Sequence, residues 1–393
     1  MIGTDTPENP FTESFVPLSV PVIRGNEWKY IKECLDTNWV SSAGPFVERF
    51  EQEFAKAVGA EYAVACASGT AALHVAMRLA GVSDGGEVLV STLTFVASVN
   101  AVLYERGIPV LVDCEARTWN IDPRLVVDEI ERRARLGVAL PKAVEVVHIL
   151  GHPVDIEPIV QVCKRYEIAL IEDAAEALGA TYATGPLAGL SAGTIGDIGC
   201  FSFNGNKIIT TGGGGMIVTH DRDQAEQARH LTTQARLPGI QYQHDAVGYN
   251  YRLTSIAAAL GLAQLEQLPA FLEKKRQIAE RYDRALTRLP GVTLPPRESW
   301  AASSVWLYSI LLDEASFGCD RYGLISALSR AGIESRPLWT PMHSIELFAE
   351  LPRIRGEVAE GIFERAVSLP SSVSLTTDDQ DRVIRVLEEC SGL

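Results

Sequence analysis

The stretch IALIEDAAEALGA at residues 168–180 runs from a continuous apolar segment into an acidic pair and then into small residues. A short apolar run without polar alternation reads as a strand covered on both faces. The pattern recurs on either side of it. Upstream lie EVLVS (87–91), IPVLVD (108–113) and AVEVVHIL (143–150), and downstream lie CFSFN (200–204) and MIVT (216–219). Between them DPRLVVDEIERRARLG (122–137) and IEPIVQVCKRYEI (156–168) carry apolar residues at helical spacing. Strands alternating with helices give an α/β sheet of mainly parallel strands, and such sheets bind ligands at the carboxyl ends of their strands.

Beyond this region Ser255 to Leu286 reads as one long helical stretch with Pro269 as its only internal proline. A smaller unit follows: SSVWLYSILL (303–312) as a strand, CDRYGLISALSRAG (319–332) as a helix, IESRPL (333–338) as a strand and a terminal helix near 376–390. A chain of 393 residues exceeds what a single core supports. We expect a large α/β domain over 1–265 and a smaller α/β domain over 266–393.

Composition removes several classes of function. A net charge of −15 repels nucleic acid and anionic membranes, so an anionic small ligand needs a local basic pocket. The seven cysteines show no CxxC pair or regular spacing, which argues against a secreted disulfide framework, and no metal site is expected. The opening MIGTDTPENPFTESFVPLSV has acids and prolines where a secretion signal needs a basic start and an apolar run. No later stretch approaches the roughly 18 apolar residues of a membrane span. A cytoplasmic protein is expected.

Three local features carry chemistry. In FSFNGNKIITTGGGGM (201–216) a strand leads into a polar turn, Lys207, and the run Gly212 to Gly215. Glycines permit close backbone approach to a ligand, and a desolvated lysine becomes a competent amine nucleophile toward a carbonyl. A surface lysine before a glycine-rich hairpin fits the motif equally well. Asp173 ends its strand where α/β sheets present functional groups, and a carboxylate there can hold a pyridine nitrogen protonated, although it also fits a helix N-cap. ACASGTAALHVAMRLAG (65–81) reads as a strand end, a turn of Ser68, Gly69 and Thr70, and a helix whose free N–H groups suit a phosphate. Phe95 in STLTFVAS (91–98) is placed to stack on a ring or simply to fill the core, and His74 reads as a core or interface histidine.

Taken together and in this order, SGTAAL, TFVAS, EDAAE and FSFNGNKIITTGGGGM resemble the DegT/DnrJ/EryC1/StrS family of sugar aminotransferases, which have the fold-type I architecture and use pyridoxal 5'-phosphate. The likeness runs from NWVSSAGPFVERFEQEFA (38–55) past VGYNYRLTSIAAALGLAQL (247–265) into the smaller domain. The resemblance implies that Lys207 is the Schiff-base lysine, that Asp173 partners the pyridine nitrogen and that Phe95 stacks on the ring. Ser202, with Ser68, Gly69 and Thr70, matches the phosphate site. Asn250 matches an asparagine that reaches the phosphate from the neighbouring subunit, with Arg252 beside it, which implies a homodimer with shared active sites. Glu176 stands where many relatives carry glutamine or histidine near the cofactor's phenolic oxygen. Val40, Ser41 and Ser42 fall in the family's amino-terminal substrate segment. Relatives with histidine at the lysine position are dehydratases, so Lys207 favours transamination.

Within the family, NGNKIITTGGGGM, GHPVDI (151–156) and LTTQARLPGIQYQHDAVGYNYRLT (231–254) look most like the branch that aminates C4 of UDP-4-keto-6-deoxy-N-acetylglucosamine for bacillosamine- and legionaminic-acid-type sugars. The implied partners are a nucleotide-sugar ketone and glutamate, used in ping-pong order. Arg24, Lys29, Arg252, Arg336, Trp339 and His343 are candidates for the substrate by residue type. The alternatives are an aminotransferase for another keto sugar or carbocyclic ketone, and a non-catalytic pyridoxal-phosphate-binding sensor. A dinucleotide-binding dehydrogenase lacks its GxGxxG here.

Overall fold

The computed structural model describes residues 15–392; for 1–14, the reading of the opening segment falls outside the described residues. In chain order the strands are β1 (Tyr62–Cys66), β2 (Glu87–Ser91), β3 (Ile108–Val112), β4 (Ala143–Val147), β5 (Ala169–Asp173), β6 (Thr181–Tyr182), β7 (Ile198–Ser202), β8 (Gly215–Thr219), β9 (Val292–Thr293), β10 (Ala301–Ala302), β11 (Tyr308–Leu312), β12 (Arg336–Pro337), β13 (Arg353–Ile354) and β14 (Ala366–Leu369). An eight-stranded sheet has the order β1-β8-β7-β5-β4-β2-β3-β13. Within it β8 alone is antiparallel to its neighbours, and every other pairing is parallel.

The helices are α1 (Glu27–Asp36), α2 (Pro45–Val58), α3 (Gly69–Leu79), α4 (Val96–Tyr104), α5 (Pro123–Leu136), α6 (Glu157–Tyr166), α7 (Arg222–Thr232), α8 (Ser255–Leu265), α9 (Leu268–Leu286), α10 (Glu314–Phe317), α11 (Arg321–Arg330), α12 (Glu357–Phe363) and α13 (Thr377–Cys390). Residues of α3 and α7 pack on one face of the sheet through Leu73, Val75 and Ala228, and those of α5 and α6 on the other through Val126, Ile130 and Ile159. Covering both faces explains why the strands read as unbroken apolar runs.

The long helical stretch is not continuous. It breaks after Leu265 and bends by 59°. Pro269 lies in the first turn of α9, where its missing N–H leaves no helical bond unmade. The smaller four-stranded sheet, β12-β14-β11-β9, packs on α9, α11 and α13 through Tyr282, Leu324 and Leu387. Its strands are shorter than expected from 303–312 and 333–338: Ser303 to Leu307 instead cross beside the large sheet, with Val305 at a φ of 48°. The C-terminal part of the chain also supplies β10, which pairs with β6, and β13, which pairs with β3. Among the described residues no single helix is long and apolar enough to cross a membrane.

One core position is costly. Glu145 on β4 is fully buried and, among the described residues, neither carboxylate oxygen has a hydrogen-bond partner. Burial, with the nearby Asp173 charge, pushes its carboxyl well above the ordinary range, so it sits in the sheet as a neutral acid. An unsatisfied buried polar group costs about 1–3 kcal/mol, and Glu145→Met is expected to stabilise the protein by that amount in denaturant unfolding. A carboxyl that holds its proton more tightly when folded loses stability as pH rises above its unfolded value, so the gain is larger at about pH 8 than at about pH 5. A destabilised variant would contradict the assignment.

Candidate active site

The lysine turn is built by close backbone packing. After β7 the chain turns through Asn204 to Lys207, with the Lys207 N–H donating to the Asn204 carbonyl, and returns where the Phe203 N–H meets the Gly214 carbonyl. Two glycine positions are forced. A Cβ on Gly215 would lie 2.4 Å from the Ser68 carbonyl oxygen, and one on Gly69 would lie 2.7 Å from Ser202 Cβ. The absence of side chains lets the start of α3 close against the ends of β7 and β8. Ser68 caps α3 by accepting from the Ala71 N–H at 3.0 Å. Ser68, Gly69, Thr70 and Ser202 then line one end of a cavity of about 230 Å³.

The acidic pair separates by strand alternation. Asp173 lines the cavity floor; its Oδ2 accepts from Ser98 Oγ at 2.8 Å and its Oδ1 from the Ala175 N–H at 3.0 Å. Burial raises its pKa, while these two donors and the Lys207 charge oppose the rise. Glu172 turns to the other side and accepts from His148 Nε2 at 2.8 Å and from the N–H groups of Gly193, Ile195 and Gly196. Burial works against that carboxylate, but His148 and the backbone donors outweigh it and hold its pKa down. His148 Nδ1 accepts from the Val154 N–H, which makes Nε2 the protonated nitrogen.

Lys207 Nζ lies 3.6 Å from the centre of the Trp306 ring and 4.0 Å from Glu176 Oε1, with 14% of the side chain accessible. Loss of water lowers the amine's pKa, and the charges of Glu176 and Asp173 resist that fall. Burial raises the Glu176 carboxyl, against Lys207 and the Leu150 N–H, which donates to Oε2 at 2.7 Å. Trp306 stacks on Trp339 with 6.1 Å between ring centres, and Trp339 meets Phe95 edge-on at 6.3 Å. Phe95 is 51% exposed and lines the cavity.

Ser98 and Trp306 were not singled out from the sequence. Ser98 closes STLTFVAS, one helical turn past Thr94, whose hydroxyl it meets at 2.8 Å. Trp306 sits in a segment that reads as a strand, and only its φ-distorted neighbour marks a crossing.

Other expected contacts do not gather here. His343 is buried away from the cavity, its Nδ1 at 2.5 Å from Thr92 Oγ1 and its Nε2 at 3.0 Å from Glu360 Oε1; sequence type carried no sign of that burial. Asn250 is exposed on the segment bridged to Thr233, and Arg252 lines a separate cavity of about 750 Å³ with Arg236 and His244. Val40 and Ser41 are exposed and Ser42 half-buried; the Ser41 carbonyl accepts from the Ser255 N–H, tying the segment to α8. Arg24 lies over Phe271 and Lys29 over Tyr30. Arg336 pairs with Glu334 beside a cavity of about 340 Å³ that shares Trp306 and Trp339 with the lysine cavity. His74 is buried at 3.1 Å from the Tyr251 hydroxyl and 3.0 Å from Glu105.

A phosphorylated pyridine aldehyde needs donors for a dianion, flat walls, an acceptor for a ring N–H and an amine. The start of α3 with Ser68, Thr70 and Ser202, the ring of Phe95, buried Asp173 and Lys207 meet those needs within one cavity. The DegT/DnrJ/EryC1/StrS aminotransferase family profile matches residues 21–388, and the chain belongs to that family. It is a pyridoxal-phosphate-dependent sugar aminotransferase. It is 44% identical over 376 residues to the putative pyridoxal phosphate-dependent aminotransferase EpsN of Bacillus subtilis (strain 168), covering 94% of each chain. It is 40% identical to GDP-perosamine synthase of Caulobacter vibrioides, over 95% of this chain and 98% of that one. Among solved structures, DesI in the presence of its TDP-sugar product superposes with a TM-score of 0.85 at 28% identity, covering 97% of this chain and 94% of that one.

Replacing Glu176 by Gln keeps an acceptor for the Leu150 N–H and removes the charge that supports the Lys207 ammonium. In the cofactor-free protein the pH midpoint for acylation of Lys207, followed by peptide mass spectrometry, is expected to fall in Glu176→Gln; an unchanged or higher midpoint would contradict the coupling.

Proposed function

We propose that this chain transfers the amino group of glutamate to the ketone of a 4-keto-6-deoxy sugar carried on a nucleoside diphosphate, with UDP-4-keto-6-deoxy-N-acetylglucosamine as the first substrate to test. The observation that carries the proposal is a single water-poor amine, Lys207, set between Trp306 and Glu176 in the cavity that also holds Asp173 and the start of α3. Pyridoxal phosphate, when bound, supplies the electron sink that makes loss of a proton from the amine-bearing carbon feasible.

The chain's own groups do the rest. Thr70, Ser202 and the first-turn N–H groups of α3 would hold the phosphate. Asp173, its two oxygens fixed by Ser98 and the Ala175 N–H, presents a remaining lone pair to a ring N–H. Lys207 Nζ, its pKa lowered by burial, gives up and takes back a proton in each half of a ping-pong cycle. Glu176 stands beside it as the group that shares that proton, and Trp306, Trp339 and Phe95 wall off water from the amine.

The donor and the nucleotide rest on likeness. GDP-perosamine synthases at 40% and 39% identity favour a GDP-linked sugar as a second reading. Asn250 and Arg252, exposed and outside their own chain's lysine cavity, support a homodimer in which segment 233–252 reaches the partner's site. The division into domains near 265 is supported by the separate core around Tyr282 and Leu324. A cytoplasmic location completes the proposal.

The protein mixed with pyridoxal phosphate is expected to show a visible absorption band that glutamate bleaches, and Lys207→Ala is expected to show neither. The bleached protein, offered UDP-, GDP- and TDP-linked 4-keto sugars in turn, is expected to regain the band with the true acceptor. A band that glutamate leaves untouched would sink the proposal.

A further inference from the structure

Lys275 lies in the middle of α9 and is 3% exposed, although a methionine would pack there without loss of hydration. Its ammonium meets only oxygens among the described residues. Nζ donates to the Trp306 carbonyl at 2.7 Å, to the Ser371 carbonyl at 2.5 Å and, more loosely, to Ser371 Oγ at 3.5 Å. Ser371 Oγ in turn donates to the same Trp306 carbonyl at 3.3 Å, more loosely than Lys275 does. The two carbonyls belong to chain outside any strand, where no sheet partner exists to take them.

The Trp306 carbonyl matters because of what surrounds it. The preceding residue, Val305, has a φ of 48°, a conformation that a β-branched side chain disfavours and that persists only where neighbouring bonds over-determine it. The Trp306 N–H donates to the Leu150 carbonyl at 3.1 Å and its Nε1 to the Asn206 carbonyl at 2.7 Å. Asn206 immediately precedes Lys207, and the indole face covers Lys207 Nζ. A chain of contacts therefore leads from α9 through one carbonyl to the wall of the lysine cavity.

We propose that Lys275 is a positioning residue: it fixes the Trp306 carbonyl, and thereby holds the indole over Lys207 and keeps water from that amine. The inference rests on the reading of Lys207 as the reactive amine. Burial pushes the Lys275 amine down to about 7, with no charged group opposing it, so its own hold on the carbonyls is through N–H donors rather than an ion pair. The charged groups that face Lys207 are Glu176 and Asp173, and neither touches Lys275. Without Lys275 the Trp306 wall loosens, water reaches Lys207, and the amine regains basicity.

The experiment uses the full-length, cofactor-free protein and measures the pH midpoint for acylation of Lys207 by peptide mass spectrometry. Lys275→Met keeps the volume and removes all donors; Lys275→Gln keeps two donors and no charge. The midpoint is expected to rise by about one pH unit in Lys275→Met, slowing modification near neutrality about tenfold, to rise equally in Trp306→Phe, and to rise no further when the two are combined. Lys275→Gln is expected to restore most of the wild-type midpoint. A folded Lys275→Met with an unshifted midpoint overturns the proposal, as does failure of both Lys275 variants to fold, which would make the residue a requirement of folding alone. Because the readout is the amine itself, a wild-type protein that acylates at the ordinary lysine midpoint would instead bring down the reading of Lys207.

Discussion

Keeping an amine short of water is the constraint around which this protein is arranged. A lysine in solution is protonated at neutral pH and is no nucleophile; removing solvent lowers its pKa, and adding carboxylates restores the charge. Lys207 is held between these effects, with Trp306 excluding water on one side and Glu176 and Asp173 supplying charge on the other. Each group needs a support of its own. Glu176 is pinned by the N–H of Leu150, Asp173 by Ser98 and Ala175, and Trp306 by Asn206 and Lys275.

The parallel sheet makes this economical in chain length. The carboxyl ends of β5 and β7 bring Asp173 and Ser202 to one level, and the N-terminus of α3 is drawn to the same level by the glycines at 69 and 215. The C-terminal part closes the site from above by sending Trp306 and Trp339 across it. Residues from six separate stretches of the sequence therefore line about 230 Å³ of space. The strands that carry them are fixed by packing on both faces, which gives the site a rigid floor under a wall contributed by a crossing segment.

Much of this was legible before the fold was known, and the reason is locality. β2 matches the run at 87–91, and β3, β4 and β5 lie within theirs, because a strand covered on both faces has no polar alternation to confuse the reading. Ser68 capping α3 and Asp173 ending β5 are likewise local events. What stayed hidden depends on contact between remote segments. Nothing near Trp306 says that it crosses to Lys207, and nothing near Lys275 says that its acceptors lie at 306 and 371. Glu172 and Asp173 look alike in sequence, yet alternation sends one to a backbone nest and the other to the cavity. His343 suits a ligand by residue type alone, and tertiary packing gives both its ring nitrogens to Thr92 and Glu360. The helix expected over 255–286 breaks after Leu265, whose carbonyl Pro269 has no N–H to meet, and at the break Gln264 and Gln267 donate to Glu27.

Two lysines, Lys207 and Lys275, have amines made less basic by loss of water, one in the cavity and one beneath its wall. The most direct discrimination is borohydride reduction of the protein loaded with pyridoxal phosphate, followed by digestion and mass mapping of the fixed cofactor. The label is expected on Lys207, within residues 201–216; a label on Lys275, or none on either lysine, would contradict the assignment of Lys207 as the reactive amine.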